Sequence, residues 1–155
     1  MGVLKKSIAG LKPVIYVAWI VAAARILAEA LTTDLNVVAM LSVYAAIAVM
    51  FLFAGFTGQL DRLVWKPLLL GALVLGIACW FIPSTIAYGV AQFQGWDHGR
   101  FGVTRGPPIS DTTAGKLQAA VTVAFFTSIA GTLWSLVLGV LFVGIPAAAR
   151  RRRLP

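Results

Sequence analysis

Cysteine, histidine and acidic side chains are all scarce in this chain. Its 155 residues include one cysteine, one histidine and five acidic residues. Cys79 alone can form neither an intrachain disulfide nor a cysteine-based metal cluster. His98 has no second histidine or further cysteine as a co-ligand at a metal-site spacing, so the sequence gives no support for zinc or haem. We therefore expect no metal site and no cofactor.

The sequence also lacks the motifs of common catalytic sites. Cys-x-x-Cys, Gly-x-Ser-x-Gly and the glycine-rich phosphate-binding loop do not occur in it. No nucleophile, base and orienting group can be assembled from the residues that remain. We therefore expect no catalytic residue and a protein that is not an enzyme. The weakest alternative is a membrane enzyme that uses Asp97 and His98.

Apolar residues, by contrast, dominate the chain. Hydrophobic residues make up 60% of it and charged residues only 12%, whereas a soluble domain has about 45–50% and about 25%. A soluble fold of this length could not bury so much apolar surface, so lipid must solvate much of it. The length predicts one domain over residues 1–155.

Four apolar runs are long enough to cross a bilayer, which takes about 20 helical residues. The runs cover residues 13–31, 37–56, 67–91 and 117–146, and the longest hydrophilic segment, residues 92–116, separates the last two. The sequence therefore predicts an all-α, four-helix transmembrane bundle, that is, a polytopic integral membrane protein. No internal repeat is apparent, which argues against the inverted-repeat transporter folds.

Prolines mark several helix positions. Pro13 and Pro67 suit the first turn of a helix, where a missing N–H is tolerated. Pro83 falls inside the third run, where it predicts a kink. Ser84 and Thr85 are the expected partners of the backbone groups that this proline leaves free.

The fourth helix has polar groups at both ends. Asp111 is expected to cap its start, with Thr112 and Thr113 as alternatives. Pro146 is expected to end the regular helix. The basic block at 150–153 that follows is expected to fix the topology or to bind anionic lipid headgroups.

The distribution of lysine and arginine predicts the orientation. With both termini inside, nine basic residues lie on the inner face and three on the outer face, with Arg25 left in the membrane. The inner set is Lys5, Lys6, Lys12, Arg62, Lys66, Arg150, Arg151, Arg152 and Arg153, and the outer set is Arg100, Arg105 and Lys116. The positive-inside rule thus predicts cytoplasmic termini, an outer loop at 92–116 and a multi-pass protein of the bacterial inner membrane.

A cleaved signal peptide is the alternative interpretation of the first apolar run. Its basic start, short length and Ala22-Ala23-Ala24 resemble a cleavage site. Apolar character resumes after these alanines, at Ile26 and Leu27, which favours a transmembrane helix.

Arg25 and Glu29 are the two charged residues within a predicted span. Their spacing of four places them on one face of the first helix. The pair can simply neutralise itself, with Arg25 reaching towards the membrane surface. It can also form an ion or proton relay or a substrate counter-ion, or it can attach the helix to another helix.

Small residues recur at every fourth position of the last helix, at Thr127, Gly131, Ser135 and Gly139. Such a stripe lets another helix approach closely. The partner helix can belong to this chain, which we favour, or to a second chain.

The outer loop is the most individual segment of the chain. Between its glycines it carries Trp96, Asp97, His98, Arg100 and Phe101. One interpretation is a compact loop that covers the end of the bundle. The other is a docking surface for a partner outside the cytoplasm.

These features favour a non-catalytic membrane subunit or scaffold, which packs by its helices and docks a partner by its outer loop. The alternative is a small ion- or proton-coupled transporter or channel that uses Glu29 and Arg25. The expected partners are the lipid bilayer and other membrane subunits or a second copy. No fold signal supports nucleic-acid binding.

Overall fold

The computed structural model describes residues 2–32, 35–58, 66–102 and 105–152, and in these ranges the chain is helical without strands. The α-helices are α1 (Gly2–Leu31), α2 (Leu35–Met40), α3 (Val43–Thr57), α4 (Lys66–Leu75), α5 (Ile82–Gln94), α6 (Thr113–Gly139) and α7 (Ile145–Arg152). A π-helical turn, Gly76–Phe81, joins α4 to α5, and a second one, Val140–Gly144, joins α6 to α7.

Four helical segments are long and apolar enough to cross a membrane, which confirms the predicted fold. They are Ala9–Leu31 (span 1), Val38–Thr57 (span 2), Leu68–Gln94 (span 3) and Thr113–Arg150 (span 4). Span 4 has 38 residues, more than a bilayer needs, so it must tilt or extend beyond the apolar layer. Large apolar side chains such as Ile20, Phe53 and Phe126 point outward, as lipid contact requires.

The four spans form a bundle with one main core. Span 1 packs against spans 2 and 3, and span 4 packs against spans 3 and 2, so spans 1 and 4 lie diagonally opposite. The largest fully buried apolar side chains are Leu11, Ile47, Leu75 and Val143. A second, smaller cluster lies at the end of the bundle where span 3 ends and span 4 begins, which we call the loop face.

The first helix begins earlier than predicted. It starts at Gly2, and Pro13 lies inside it rather than in its first turn. Pro13 removes only the backbone bond to the carbonyl of Ala9. Leu11, two residues before the proline, is buried in the core, and its side chain lies against Gly71. We infer that this packing keeps the preceding turn helical.

The second span is not the single helix that was predicted. α2 ends at Met40 and α3 begins at Val43, with Ser42 in an extended conformation between them. The Ser42 hydroxyl accepts a hydrogen bond from the Ala45 N–H at 3.4 Å. Ser42 is therefore an N-cap inside an apolar run, and the run concealed the break.

The π-helical turn of the third span lies just before Pro83. The Ile82 N–H bonds to the Ile77 carbonyl, five residues earlier instead of four. In the same register the carbonyl of Ala78 would bond to residue 83, which has no N–H because it is proline. The indole Nε1 of Trp19 donates to this carbonyl instead, at 2.8 Å.

Thr85, one of the two side chains expected to compensate for Pro83, bonds to a carbonyl that the proline does not leave free. Thr85 donates its hydroxyl hydrogen to the Phe81 carbonyl at 2.8 Å. The carbonyl that the proline leaves free in the π register belongs to Ala78, and its donor comes from another span. Trp19 is 59 residues from Ala78 in sequence, so this donor was not predicted.

Pro146 does not end the fourth helix, so that prediction is wrong. The helix passes through the second π-helical turn and continues as α7, which carries Pro146 in its first turn. The Ile145 N–H bonds to the Val140 carbonyl, again five residues earlier. The wider turn moves the preceding carbonyls away from the proline ring, with which they would otherwise collide.

The two π-helical turns share a sequence pattern, so the expectation of no internal repeat is wrong at this local scale. Leu-Val-Leu-Gly, five residues and Ile-Pro occur at 73–83 and again at 136–146. The five intervening residues are 77–81 and 140–144, which form most or all of each turn.

The cap of the fourth span also differs from the leading expectation. Thr112, not Asp111, is the N-cap of α6. Its hydroxyl accepts a hydrogen bond from the Gly115 N–H at 3.1 Å. Thr112 was among the alternatives, and its extended backbone conformation is the one that an N-cap requires.

Candidate functional site

The Arg25–Glu29 pair lies near the end of α1 at the loop face. The two side chains are one helical turn apart, and Arg25 Nε lies 3.1 Å from Glu29 Oε1. Glu29 is only 5% exposed. A carboxylate this buried needs opposite charge and hydrogen bonds to remain ionised.

The outer loop supplies a second partner for this carboxylate. Arg100 Nη2 lies 2.8 Å from Glu29 Oε2, so Glu29 accepts from one arginine on each oxygen. His98 Nε2 lies 3.0 Å from the backbone oxygen of Glu29. A carbonyl oxygen only accepts, so this bond requires a proton on Nε2. It satisfies one of the carbonyls that the end of α1 leaves free. We call Glu29, His98 and Arg100 the loop latch.

The Arg100 guanidinium packs against two aromatic rings, those of Tyr88 and Phe101. Phe101 is buried and meets Tyr88 edge to face, with 5.0 Å between ring centroids. The Arg100 guanidinium lies 4.9 Å from the Phe101 centroid and 5.5 Å from the Tyr88 centroid, within cation–π range. Burial lowers the pKa of Arg100 from its ordinary value, and the Glu29 carboxylate acts in the opposite direction.

A buried glutamine holds the second half of the loop. Gln92, at the end of span 3, is 3% exposed. Its Nε2 donates to the backbone oxygens of Pro107 at 3.4 Å and Pro108 at 3.2 Å, and its Oε1 accepts from the Ser110 N–H at 3.0 Å. Gln92 was missed in the sequence, where the only signal was an isolated amide next to an apolar run.

The five loop residues singled out for docking differ in their accessibility. Asp97 is exposed, while Trp96 and His98 are half-buried. Arg100 is bound in the loop latch, and Phe101 is buried beneath it. The accessible part of the predicted docking surface is therefore the turn around Asp97. Residues 103 and 104, which also belong to this loop, lie outside the described residues.

The small-residue stripe of span 4 packs inside the chain. A methyl group added to Gly131 would overlap the Trp80 ring, with Cε3 only 2.6 Å away. A methyl group at Gly139 would lie 2.7 Å from Leu68 Cδ1. Ser135, between them, is fully buried, and Thr127 is half-buried. These contacts favour the intrachain interpretation.

A small cavity lies between the four spans next to the loop latch. Its volume is about 60 Å³. Residues from each span and from the loop line it, including Arg25, Tyr44, Trp80, Arg100 and Thr127. The described part of its lining has two guanidinium groups and no carboxylate. Among the described residues no group of three His, Cys, Asp or Glu side chains could hold a metal ion.

The terminal arginines are described only in part. Arg150 donates from Nη1 to the Gly55 carbonyl at 3.1 Å, which joins span 4 to the end of α3. Arg62 and Arg153 lie outside the described residues. The same holds for the side chains of several residues in described helices, namely Lys5, Lys6, Lys66, Arg151 and Arg152.

Comparison of the chain with protein-family models, with curated proteins and with solved structures gives no match.

Proposed function

We propose that this protein is a non-catalytic membrane subunit or scaffold that presents its loop face to a partner. The observation that carries the proposal is the loop latch, in which Glu29 of span 1 binds both His98 and Arg100 of the loop. The loop latch holds the first half of the loop, at His98 and Arg100, and Gln92 holds the second half, at Pro107 and Ser110. A loop that is already ordered loses little entropy when it binds, so it suits recognition.

The same geometry supports a scaffold better than a coupled transporter. A coupling carboxylate must take up and release a proton or ion during each cycle. Glu29 instead accepts from two guanidinium groups and is not part of the described lining of the cavity. Its release would break the contacts of Arg25 and Arg100 at once. The ion- or proton-coupled transporter that uses Glu29 and Arg25 remains the second candidate.

Co-purification with matched loop variants tests the scaffold proposal. The tagged chain is extracted in a mild uncharged detergent and resolved by native electrophoresis and mass spectrometry. We expect a discrete complex with another membrane subunit or a second copy. Asp97→Lys should reduce it, because Asp97 is exposed at the proposed surface, whereas Asp111→Lys should not. Both residues are exposed acids at the loop face.

Two outcomes of this experiment would contradict the proposal. One is a monomer with no partner at any extraction condition that keeps the protein folded. The other is a complex that both variants weaken equally, since general charge at the loop face would then explain it.

We further propose the bacterial inner membrane as the location, with both termini in the cytoplasm. The excess of lysine and arginine on the predicted inner face supports this orientation. Reporter fusions test it: a fluorescent protein fused after residue 155 should fold, and a periplasmic phosphatase at that position should stay inactive. The opposite pattern would reverse the proposed topology.

A further inference from the structure

A furrow runs along the outer side of spans 3 and 4. Each span contributes three large apolar side chains at every fourth position, and side chains with this spacing form a ridge along a helix. The ridge of span 3 is Leu73, Ile77 and Phe81, and the ridge of span 4 is Phe125, Ile129 and Leu133. Five of these six side chains are exposed, and Phe81 is half-buried. Eight steps of 1.5 Å along either helix give the furrow a length of about 12 Å.

The floor of the furrow lies where the two spans approach each other closely. A methyl group on Gly76 would overlap the Thr132 side chain and lie 3.1 Å from the Ser128 backbone oxygen. Ser128 and Thr132 are half-buried between the ridges. Ser128 donates its hydroxyl hydrogen to the Phe125 carbonyl at 2.7 Å, and Thr132 donates to the Ser128 carbonyl at 2.8 Å. Among the described residues that line the furrow, no side-chain donor is therefore left for a ligand.

The furrow lies within the apolar layer, on the side away from the loop face. Leu73 follows the start of span 3 at Leu68 by five residues, and Phe81 precedes its end at Gln94 by 13 residues. These stretches of helix are about 7.5 Å and about 20 Å long, whereas the apolar layer is about 30 Å thick. The occupant of the furrow must therefore be apolar, and most of it must lie in the leaflet opposite the loop face.

The shape of the furrow favours an acyl chain over a transmembrane helix. Helices in membranes associate through small residues, which let two backbones approach closely. The small residues Gly131 and Gly139 of span 4 are already packed against side chains of this chain, while large branched and aromatic side chains form both ridges of the furrow. These ridges keep a second backbone at a distance. A thin, flexible chain that runs along the bundle fits between them and makes van der Waals contacts on both sides.

We propose that the furrow between spans 3 and 4 binds one acyl chain of a phospholipid from the leaflet opposite the loop face. The chain is held by contacts with both ridges and exchanges more slowly than lipid on the rest of the bundle surface. The site is remote from the exposed turn around Asp97, so it does not rest on the docking function. Lipid binding and complex formation are measured separately, and either can fail while the other holds.

Photo-crosslinking in a bilayer tests the proposal. The full-length protein is reconstituted in phosphatidylcholine vesicles that contain a trace of phosphatidylcholine with a diazirine midway along one acyl chain. After irradiation, mass spectrometry maps the labelled residues. We expect the label to be concentrated on the two ridges. Val49 and Phe53 of span 2, which are also exposed in the half of the bundle away from the loop face, should carry little of it.

Two tryptophan substitutions assign the labelling to the furrow. Ile129→Trp fills the furrow and should reduce labelling of the span 3 ridge by about 5- to 30-fold, the factor expected when the chain loses about ten atomic contacts. Val121→Trp is the matched control, because Val121 lies in the same helix, is also 45% exposed and is not part of the furrow. Labelling of the span 3 ridge in this variant should equal that in the wild type.

Three results would overturn the proposal. The first is equal labelling of the ridges and of the span 2 surface in the wild type, and the second is undiminished labelling in a folded Ile129→Trp protein. The third is an unlabelled furrow together with efficient crosslinking of the Ile129→Cys protein into dimers by a short bismaleimide, since a second copy would then fill the furrow. If Ile129→Trp fails to show a cooperative unfolding transition, the wild-type labelling pattern decides the question.

Discussion

The hydrogen bond between Trp19 and Ala78 offers a sharp test of how the π-helical turn is stabilised. Trp19→Phe removes the indole donor that reaches the Ala78 carbonyl at 2.8 Å. The carbonyl cannot recover its bond from residue 83, which is proline, and it lies in a membrane span without water. An unpaired buried backbone group costs about 1–3 kcal/mol. We expect Trp19→Phe to lower the free energy of unfolding by about this amount.

Pro83→Ala should make the loss of Trp19 less damaging, because alanine at this position brings a backbone N–H. That N–H can reach the Ala78 carbonyl in the π register. Alternatively the turn can tighten to an α-helix, in which the Ile82 N–H bonds to Ala78. In either case the carbonyl keeps a donor, so the two changes should couple by about 1 kcal/mol in a double-mutant cycle. Unfolding in mixed micelles, followed by circular dichroism, measures all four proteins.

Trp134→Phe is the matched control. Trp134 is 38% exposed, close to the 41% of Trp19, and its Nε1 donates to the Tyr44 carbonyl at 3.2 Å. Tyr44 lies inside α3, where a backbone N–H already bonds to that carbonyl. Trp134→Phe should therefore cost less and show no coupling to Pro83→Ala. Equal losses for Trp19→Phe in both backgrounds would refute the proposed role of the indole donor.

The remaining predictions concern helix packing, the loop latch and transport. Gly131→Ala should destabilise the protein by about 1–3 kcal/mol through overpacking, whereas Gly89→Ala, which meets nothing within 4 Å, should stabilise it by up to about 1 kcal/mol; thermal unfolding in detergent compares them. Arg100→Gln should speed amide exchange of the loop by about tenfold or more, since a charged hydrogen bond contributes about 1.5–3 kcal/mol. Exchange in the Arg105→Gln protein should match the wild type. Glu29→Gln should lower the free energy of unfolding and leave unchanged whatever proton flux the wild-type protein shows in proteoliposomes. A wild-type proton flux that disappears in this variant would favour the transporter.

The spans were predictable from sequence because a bilayer imposes a length and a composition on them. The irregularities within the spans were only partly predictable: Pro83 marked the place of one, whereas the break at Ser42 depends on a single hydroxyl group. Ser42 starts a new helix within an apolar run, and Trp19 stabilises a turn that is 59 residues away in sequence. The repeated Leu-Val-Leu-Gly and Ile-Pro pattern was visible, but its meaning as a π-helical turn follows only from the backbone hydrogen bonds.

Only part of the candidate site could be predicted from the sequence. The spacing of Arg25 and Glu29 gave the pair, because residues four apart on a helix are neighbours. Arg100 as the second partner could not be inferred, since it is 71 residues from Glu29 in sequence. The loop was recognised as distinctive for its aromatic and charged residues. The burial of Phe101, which removes it from the accessible surface, depends on tertiary packing with Tyr88.

The position of Glu29 is better explained by its contacts to the loop than by its own helix. It lies in the last turn of α1, where the helix dipole disfavours a carboxylate by about 0.3–1 kcal/mol. Its order after Arg25 is also the weaker arrangement for a pair four residues apart on a helix. Helix stability therefore gives no reason for a carboxylate at this position, and Arg25 contacts only one of its two oxygens. The contacts to Arg100 and His98 supply the missing stabilisation, and they exist only when the loop is in place. Because the Glu29 carboxylate is stabilised by the loop, the end of span 1 and the outer loop should stabilise each other.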